Sequence, residues 1–321
     1  MAEDVDKVPE REGGVSNGSH AVRSDERETV VVGMAQWLPR LSSSDDGLRE
    51  VADFVELLVS RGCDLVVLPE LWPCTHDPAD PRSTADEARR QAEPLDGPRV
   101  RALADLAAEH QIWLLAGSVP ESSGDRIFNT ALLFSPDGKL HATHRKAHLY
   151  RPMHEDLAFS AGDRLTVCDT ELLGRVGLVV CYDGDFPEVA RRLRNAGARV
   201  VLQVDAYEAG VEHWWDRIYP AHALVNGQWW IMVNQCGTRG STTFLGGSQI
   251  ISPLGEVVAQ APKARHGETP EPALLVHRVE LGNLIRRADA EAGELAEDFR
   301  PDLRVEVNGG ELSSASPVGL S

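Results

Sequence analysis

The segment Arg175-Val-Gly-Leu-Val-Val-Cys181-Tyr-Asp-Gly-Asp-Phe-Pro187-Glu188-Val-Ala-Arg191 constrains this chain more than any other. Val176 to Val180 is an uncharged apolar run with valine on both side-chain parities, the pattern of a strand buried on both faces. It ends in a cysteine. A turn holding Gly184 follows, then Pro187, a residue suited to the first turn of a helix. Glu188 opens a helical pattern through Val189, Ala190 and Leu193 that stops near Gly197. A thiol at the tip of a buried strand, ahead of a tight turn and a helix, has a nucleophile-elbow arrangement. Backbone N–H groups at such a turn can stabilise an oxyanion, and a helix start favours a thiolate. Buried cysteines also serve as packing residues, so this stretch alone leaves catalysis and packing level.

Two stretches upstream repeat the pattern of a strand followed by a reactive side chain. Thr29-Val-Val-Val-Gly-Met-Ala-Gln36 reads as a central strand. Ser43 or Ser44 then caps a helix with Leu48, Val51, Phe54, Val55 and Leu58 at helical spacing, closed by Gly62. Asp64-Leu-Val-Val-Leu-Pro69-Glu70-Leu-Trp72 is the next buried strand, and Pro69 stops its ladder just before the acid. Glutamates after strands are usually solvated. Here Trp72 and the apolar strand predict partial burial, which raises a carboxyl pKa toward that of a general base.

The polar segment 75–98, with Pro78, Pro81, Pro94 and Pro98, reads as a long loop, either a lid or an insertion. A helix over Val100 to Ala107 leads to the strand Ile112 to Ser118, and Phe128 to Phe134 pairs through Ser-Pro-Asp-Gly138 with Lys139 to Thr143 as a hairpin. That hairpin runs into His144-Arg145-Lys146-Ala147-His148-Leu149-Tyr150, a basic cluster in an acidic chain. His144 and His148 at i, i+4 raise the question of zinc. The His-Glu-x-x-His pattern needs glutamate after the first histidine, where this chain has Arg145, so no metal is expected. Downstream, Val200 to Asp205 and Trp229 to Gln235 read as strands, Trp214 to Asn226 as a helix, Ser248 to Ala259 as a second hairpin and Ala273 to Val279 as a last strand.

Alternating strands and helices with interposed hairpins make an α/β layered domain with mixed sheets. Reactive groups in such folds collect at the C-terminal ends of strands, where Glu70, Lys146 and Cys181 all stand. The 321 residues allow one large α/β domain or two small ones; 1–28 reads as an acidic disordered extension, 29–285 as the folded part and 286–321 as a C-terminal arm or tail. A formal net charge of −18 argues against nucleic acid or an anionic membrane surface as partner. No run is long enough to span a bilayer, and no signal-peptide core is apparent. Five scattered cysteines without a Cys-x-x-Cys suit free thiols in a reducing cytoplasm.

Three ordered blocks carry a resemblance: Pro69-Glu70 after a strand, Arg145-Lys146-Ala-His148-Leu149, and Gly177-Leu-Val-Val-Cys181-Tyr-Asp-Gly-Asp-Phe-Pro187-Glu188. Together they resemble the signature blocks of the nitrilase superfamily of carbon–nitrogen hydrolases. Ala221 to Asn226, Asn234, Gly247-Ser248 and Pro253-Leu-Gly255 are similar to its later segments. The resemblance covers about 29–285 and implies a four-layer α-β-β-α sandwich, usually a dimer formed by helix packing, acting on a small-molecule substrate with no cofactor. It implies Glu70 as general base, Lys146 as cationic stabiliser, Cys181 as nucleophile and Glu155 as the group that orients Lys146. The backbone N–H of Tyr182 would join Lys146 as the oxyanion site. Nitrilases usually follow the cysteine with Trp-Glu; Tyr182-Asp183 looks more like the amidase and carbamoylase branches, which favours an amide or N-carbamoyl amine over a nitrile.

One departure bears on the substrate. Relatives acting on ω-amides of dicarboxylates resemble Cys-Tyr-Asp-x-Arg-Phe-Pro-Glu, and this chain has Asp185 at the arginine. Facing a pocket, Asp185 disfavours an anionic substrate and favours a neutral or ammonium-bearing one; facing solvent or capping the next helix, it does neither. Asp205, Tyr207 and Glu208 are expected to add an acidic, aromatic mouth. Acyl transfer to an amine, nitrile hydrolysis and a non-catalytic binding role are the competing readings. A Cys–His protease is disfavoured because none of the eleven histidines stands at a suitable strand end.

Overall fold

The structure is a computed structural model that describes residues 29–39, 44–74, 80–264, 268–282, 285–287, 289, 300, 306–307 and 310–311. The extension expected over 1–28 and most of the expected tail lie outside these residues. In chain order the first half comprises β1 (Thr29–Gln36), α1 (Ser44–Val59), β2 (Leu65–Val67), α2 (Pro81–Gln91), α3 (Pro98–His110), β3 (Trp113–Ser123), β4 (Arg126–Phe134), β5 (Leu140–Arg145) and the short α4 (Glu155–Ala158). The second half comprises β6 (Thr166–Thr170), β7 (Gly174–Val180), α5 (Pro187–Asn195), β8 (Val200–Asp205), α6 (Glu212–Trp215), α7 (Ile218–Asn226), β9 (Trp229–Asn234), the ribbon β10 (Cys236–Arg239) and β11 (Thr242–Leu245), β12 (Gln249–Ile251), β13 (Val257–Gln260) and β14 (Ala273–Glu280).

Two six-stranded mixed sheets result, in the orders β14-β1-β2-β3-β4-β5 and β13-β12-β9-β8-β7-β6. The final strand returns to the first: β14 pairs antiparallel with β1 along its whole length, from Thr29 opposite Glu280 to Gln36 opposite Ala273. Side-chain parity orders the layers. Leu65 and Val67, Trp113 and Leu115, and Ala131 and Leu133 pack with Val176, Leu178 and Val180 of the second sheet. Their neighbours Val66, Leu114, Ala116, Leu132 and Phe134 face the other way, onto Val51, Val55 and Leu58 of α1 and Val100, Leu103 and Ala107 of α3. Val189, Ala190 and Leu193 of α5 and Tyr219 and Ala223 of α7 cover the second sheet. The packing therefore runs helices, sheet, sheet, helices, with each strand's period of two separating the faces.

Two expectations are corrected. The segment 81–91 is a helix rather than part of a loop: Pro81 occupies the first turn, where its missing N–H costs no bond, and Thr84, Ala85 and Ala88 form a small buried stripe among charged residues. The single helix expected over 214–226 is two, α6 and α7, and Pro220 falls in the first turn of α7 instead of interrupting a helix.

One glycine joins β3 to the turn after β2. Gly117 has φ +67°, at the point where the β3–β4 register slips between Leu115 and Ser118, and a Cβ there would stand 2.0 Å from the carbonyl oxygen of Pro69. Gly117→Ala is expected to cost at least ~2 kcal/mol through the left-handed backbone and the clash. A melting temperature lowered by several degrees in calorimetry checks this; an unchanged transition would show that the two backbones are not in close approach.

Candidate active site

Glu70, Lys146 and Cys181 come from three different strand ends; Glu70 and Cys181 line one cavity of about 230 Å³, and Lys146 is buried behind Glu70. Cys181 follows the last residue of β7 and adopts φ +46°, the left-handed backbone expected of a sharp strand-to-helix turn. The turn Cys181–Asp185 is a 3-10 segment, after which Pro187 starts α5. Glu70 lies beyond β2 and is followed by Leu71 at φ +46°. Lys146 is the first residue past β5.

The three side chains form a buried electrostatic unit with Glu155. Lys146 Nζ donates to Glu70 Oε1 at 2.9 Å and to Glu155 Oε1 at 2.7 Å. Glu155, the first residue of α4, uses its other oxygen to accept the Tyr150 backbone N–H at 2.8 Å. Burial alone would lower the Lys146 pKa, but Glu155 and Glu70 outweigh it and hold the ammonium well above the usual lysine range. Burial raises Glu70, opposed by Lys146 and Asn129. Burial, reinforced by the charge of Glu70, also pushes the Cys181 thiol well above its usual value, with Lys146 pulling the other way. Burial and Glu70 thus favour the protonated form of the Cys181 side chain. The helix start expected to favour a thiolate is separated from Cys181 by the 3-10 turn that precedes α5.

Four groups that sequence reasoning missed hold this unit. Asn129 Nδ2 donates to Glu70 Oε1 at 2.7 Å, and the Asn129 carbonyl accepts the Lys146 N–H at 2.8 Å, so one β4 residue fixes both. Gln235 Nε2 donates to the Glu70 carbonyl at 2.7 Å, and Ser118 Oγ accepts the Leu71 N–H at 2.9 Å. Asp183 is the fourth. Fully buried, it accepts the backbone N–H of Ala147 at 3.1 Å and of His148 at 2.8 Å, and faces the rings of His144 at 3.0 Å and His148 at 2.7 Å. The elbow after the cysteine is thus tied to both sides of Lys146, and His144 and His148 turn to a carboxylate. A signal existed in the polar side chains inside otherwise apolar strands and in the His-x-x-x-His spacing, but it names no partner.

The remaining candidates divide. Tyr182, Asp185, Tyr207 and Glu208 line the cavity. Asp185 is therefore turned inward, where Tyr219 Oη donates to its Oδ1 at 2.7 Å and Tyr207 Oη to its Oδ2 at 3.3 Å. Asp205 does not line the mouth. As the last residue of β8 it is fully buried behind the cavity, bonded to Gln203 Nε2 at 2.8 Å, while its carbonyl accepts the Glu70 N–H at 3.3 Å. Burial raises its pKa well above the carboxylate range.

A cavity at the seam of two stacked sheets, holding one buried thiol between carboxylates and an ammonium, defines a class that comparison with known proteins bears out. Residues 30–285 match the carbon–nitrogen hydrolase family model, and the chain belongs to that family, within the nitrilase superfamily. It is similar to the chloroplastic omega-amidase of Arabidopsis thaliana, 31% identical over 69% of this chain, and it spans 63% of that protein's length. Among solved structures it resembles Saccharomyces cerevisiae Nit3, with a TM-score of 0.69, 25% identity, and 82% and 94% of the two chains covered. A variant of the Nesterenkonia sp. AN1 amidase, carrying the acetamide moiety of fluoroacetamide on its active-site cysteine, aligns with a TM-score of 0.66, 25% identity, and 88% and 99% coverage. The reaction class is hydrolysis of a carbon–nitrogen bond.

Asp183→Asn replaces a carboxylate acceptor by an amide that cannot match two N–H groups and two rings. It is expected to lower stability by ~1–3 kcal/mol near neutral pH. Hydrogen bonds from His144 and His148 override burial and hold Asp183 below the usual aspartate range. A depressed pKa stabilises the fold above the unfolded-state value of about 3.9, and that contribution is lost as pH falls toward the folded pKa. Urea titrations of both proteins should show a stability gap that is full above about pH 4 and narrows below it; a gap independent of pH would remove the ionic part of the role.

Proposed function

We propose that this hydrolase cleaves a small-molecule amide through a thioester on Cys181 and releases ammonia. The observation that carries the reading is the Lys146 ammonium bonded at once to Glu70 and Glu155 beside a buried thiol on the cavity wall. As sulfur attacks the carbonyl carbon, Glu70 takes the thiol proton and the carbonyl electron pair moves to oxygen. The Lys146 ammonium and the Tyr182 backbone N–H stabilise that oxyanion. Collapse breaks the C–N bond, and the proton on Glu70 passes to the leaving nitrogen. Water then gives a proton to Glu70 and attacks the thioester; the C–S bond breaks, and the proton returns to sulfur. Glu155 acts through Lys146, as a positioning residue. The cysteine adduct of the Nesterenkonia amidase supports the covalent step.

The same reading includes a homodimer in a reducing cytoplasm. Exposed Leu224 and Val225 on α7 support a helix-packed partner, and the cysteines among the described residues are all free thiols. No helix among the described residues is long and apolar enough to cross a membrane.

Ammonia release from a panel of amides, carbamoyl amines and nitriles tests the reading. Cys181→Ala and Glu70→Gln are expected to lose at least ~10³-fold in kcat, and Glu155→Gln about 10- to 100-fold. Because burial raises the Glu70 pKa, the base form is lost at a higher pH than for an ordinary glutamate, and the acid limb of kcat/KM should lie above about 4.3. Turnover that survives Cys181→Ala overturns the thiol mechanism. An acylated wild-type protein that yields to added amine but not to water would redirect it to acyl transfer.

A further inference from the structure

Resting on the proposed amide hydrolysis, the composition of the cavity wall goes further and selects among amides. Among the described residues its lining includes four carboxylates, Glu70, Glu155, Asp185 and Glu208, and no lysine, arginine or histidine. Glu70 and Glu155 are matched against the single Lys146 ammonium behind them. Asp185 and Glu208 meet hydroxyl groups instead: Tyr219 and Tyr207 donate to Asp185, and Tyr150 Oη lies 3.4 Å from Glu208 Oε1. An ionised carboxylate has about four acceptor sites. Two tyrosine hydroxyls leave Asp185 able to accept further donors from the cavity side.

The tyrosines do two things. Their hydroxyls fix the direction of Asp185, so the carboxylate is presented to the cavity with little freedom left to lose on binding. Tyr182, Tyr207 and Trp214 add aromatic faces to the same wall, and such faces attract cations through the ring quadrupole. A substrate tail with a carboxylate would meet like charges here and no cation among the described lining residues, which is a repulsive element against the wrong ligand. A protonated amine has three donors for two carboxylates and a cation for the rings.

We propose that the preferred substrate is an amide whose tail carries a protonated amine, bound with its ammonium between Asp185 and Glu208 and its carbonyl carbon at Cys181. Asp185 is then the specificity-determining residue, Glu208 the second acceptor, and the tyrosines position the first.

Three amides of matched length test this on the full chain: an ω-amino amide, the alkyl amide with methyl in place of the ammonium, and the monoamide of a dicarboxylic acid. The expected order of kcat/KM is amino, methyl, carboxylate. Asp185→Asn should lower the amino-to-methyl ratio by about 10- to 100-fold, mainly through KM, and Glu208→Gln by a smaller factor. A methyl or carboxylate amide that is turned over ahead of the amino amide overturns this inference and leaves amide hydrolysis standing. So does an amino-to-methyl ratio that Asp185→Asn does not move. Ammonia from none of the three overturns both. If Asp185→Asn fails to fold, the wild-type order and the Glu208→Gln ratio decide.

Discussion

The buried ammonium of Lys146 is the interaction on which the site depends. A lone charge out of water costs several kcal/mol, and breaking one arm of a buried pair typically costs about 3–5 kcal/mol. Lys146 meets that cost with two carboxylates at 2.9 and 2.7 Å, and those carboxylates would in turn be unsustainable without it. The surplus of negative charge has a chemical consequence. It adds to burial in pushing the Cys181 thiol above its usual value, beside a Glu70 carboxylate aligned by Asn129.

The site sits where the two sheets can reach each other. Glu70 belongs to the first sheet by its strand, but its backbone N–H and carbonyl are bonded to Asp205 and Gln235 of the second. Asp183 makes the reciprocal link, from the second sheet's cysteine turn to Ala147 and His148 after β5 of the first. Relative displacement of the sheets would therefore break the backbone bonds of Glu70 and the charge-assisted bonds that Asp183 accepts beside Lys146. Precision at the thiol is a property of the whole stack.

Much of this was readable in the residues. Buried strands with reactive side chains at their C-terminal ends pointed to Glu70, Lys146 and Cys181, because continuous apolar runs and the residues that follow them are local signals. What was not readable is instructive. The side chains that α2 is seen to bury, Thr84, Ala85 and Ala88, are small, so its polar, proline-bearing stretch looked like a loop. The ribbon β10–β11 has no apolar alternation strong enough to declare itself. Asp205 and Tyr207 lie two residues apart after one strand, yet one is behind the cavity and the other on its wall, since the chain leaves the extended conformation between them. Asn129 and Asp183 act across 59 and 36 positions of sequence, and no local pattern encodes a partner at that distance.

The pairing of β14 with β1 has a consequence for how the chain is made. The strand that emerges first finds its outer neighbour only when residues 273–280 exist, and Gln36 at its end bonds to Ser248 and Pro262, which also come late. Until then Thr29-Val-Val-Val offers an unpaired β-branched edge, the kind of surface on which nascent chains associate. Synthesis of this protein thus carries a window of vulnerability that closes only with its last long strand, and shortening the chain from its C-terminal end would hold that window open.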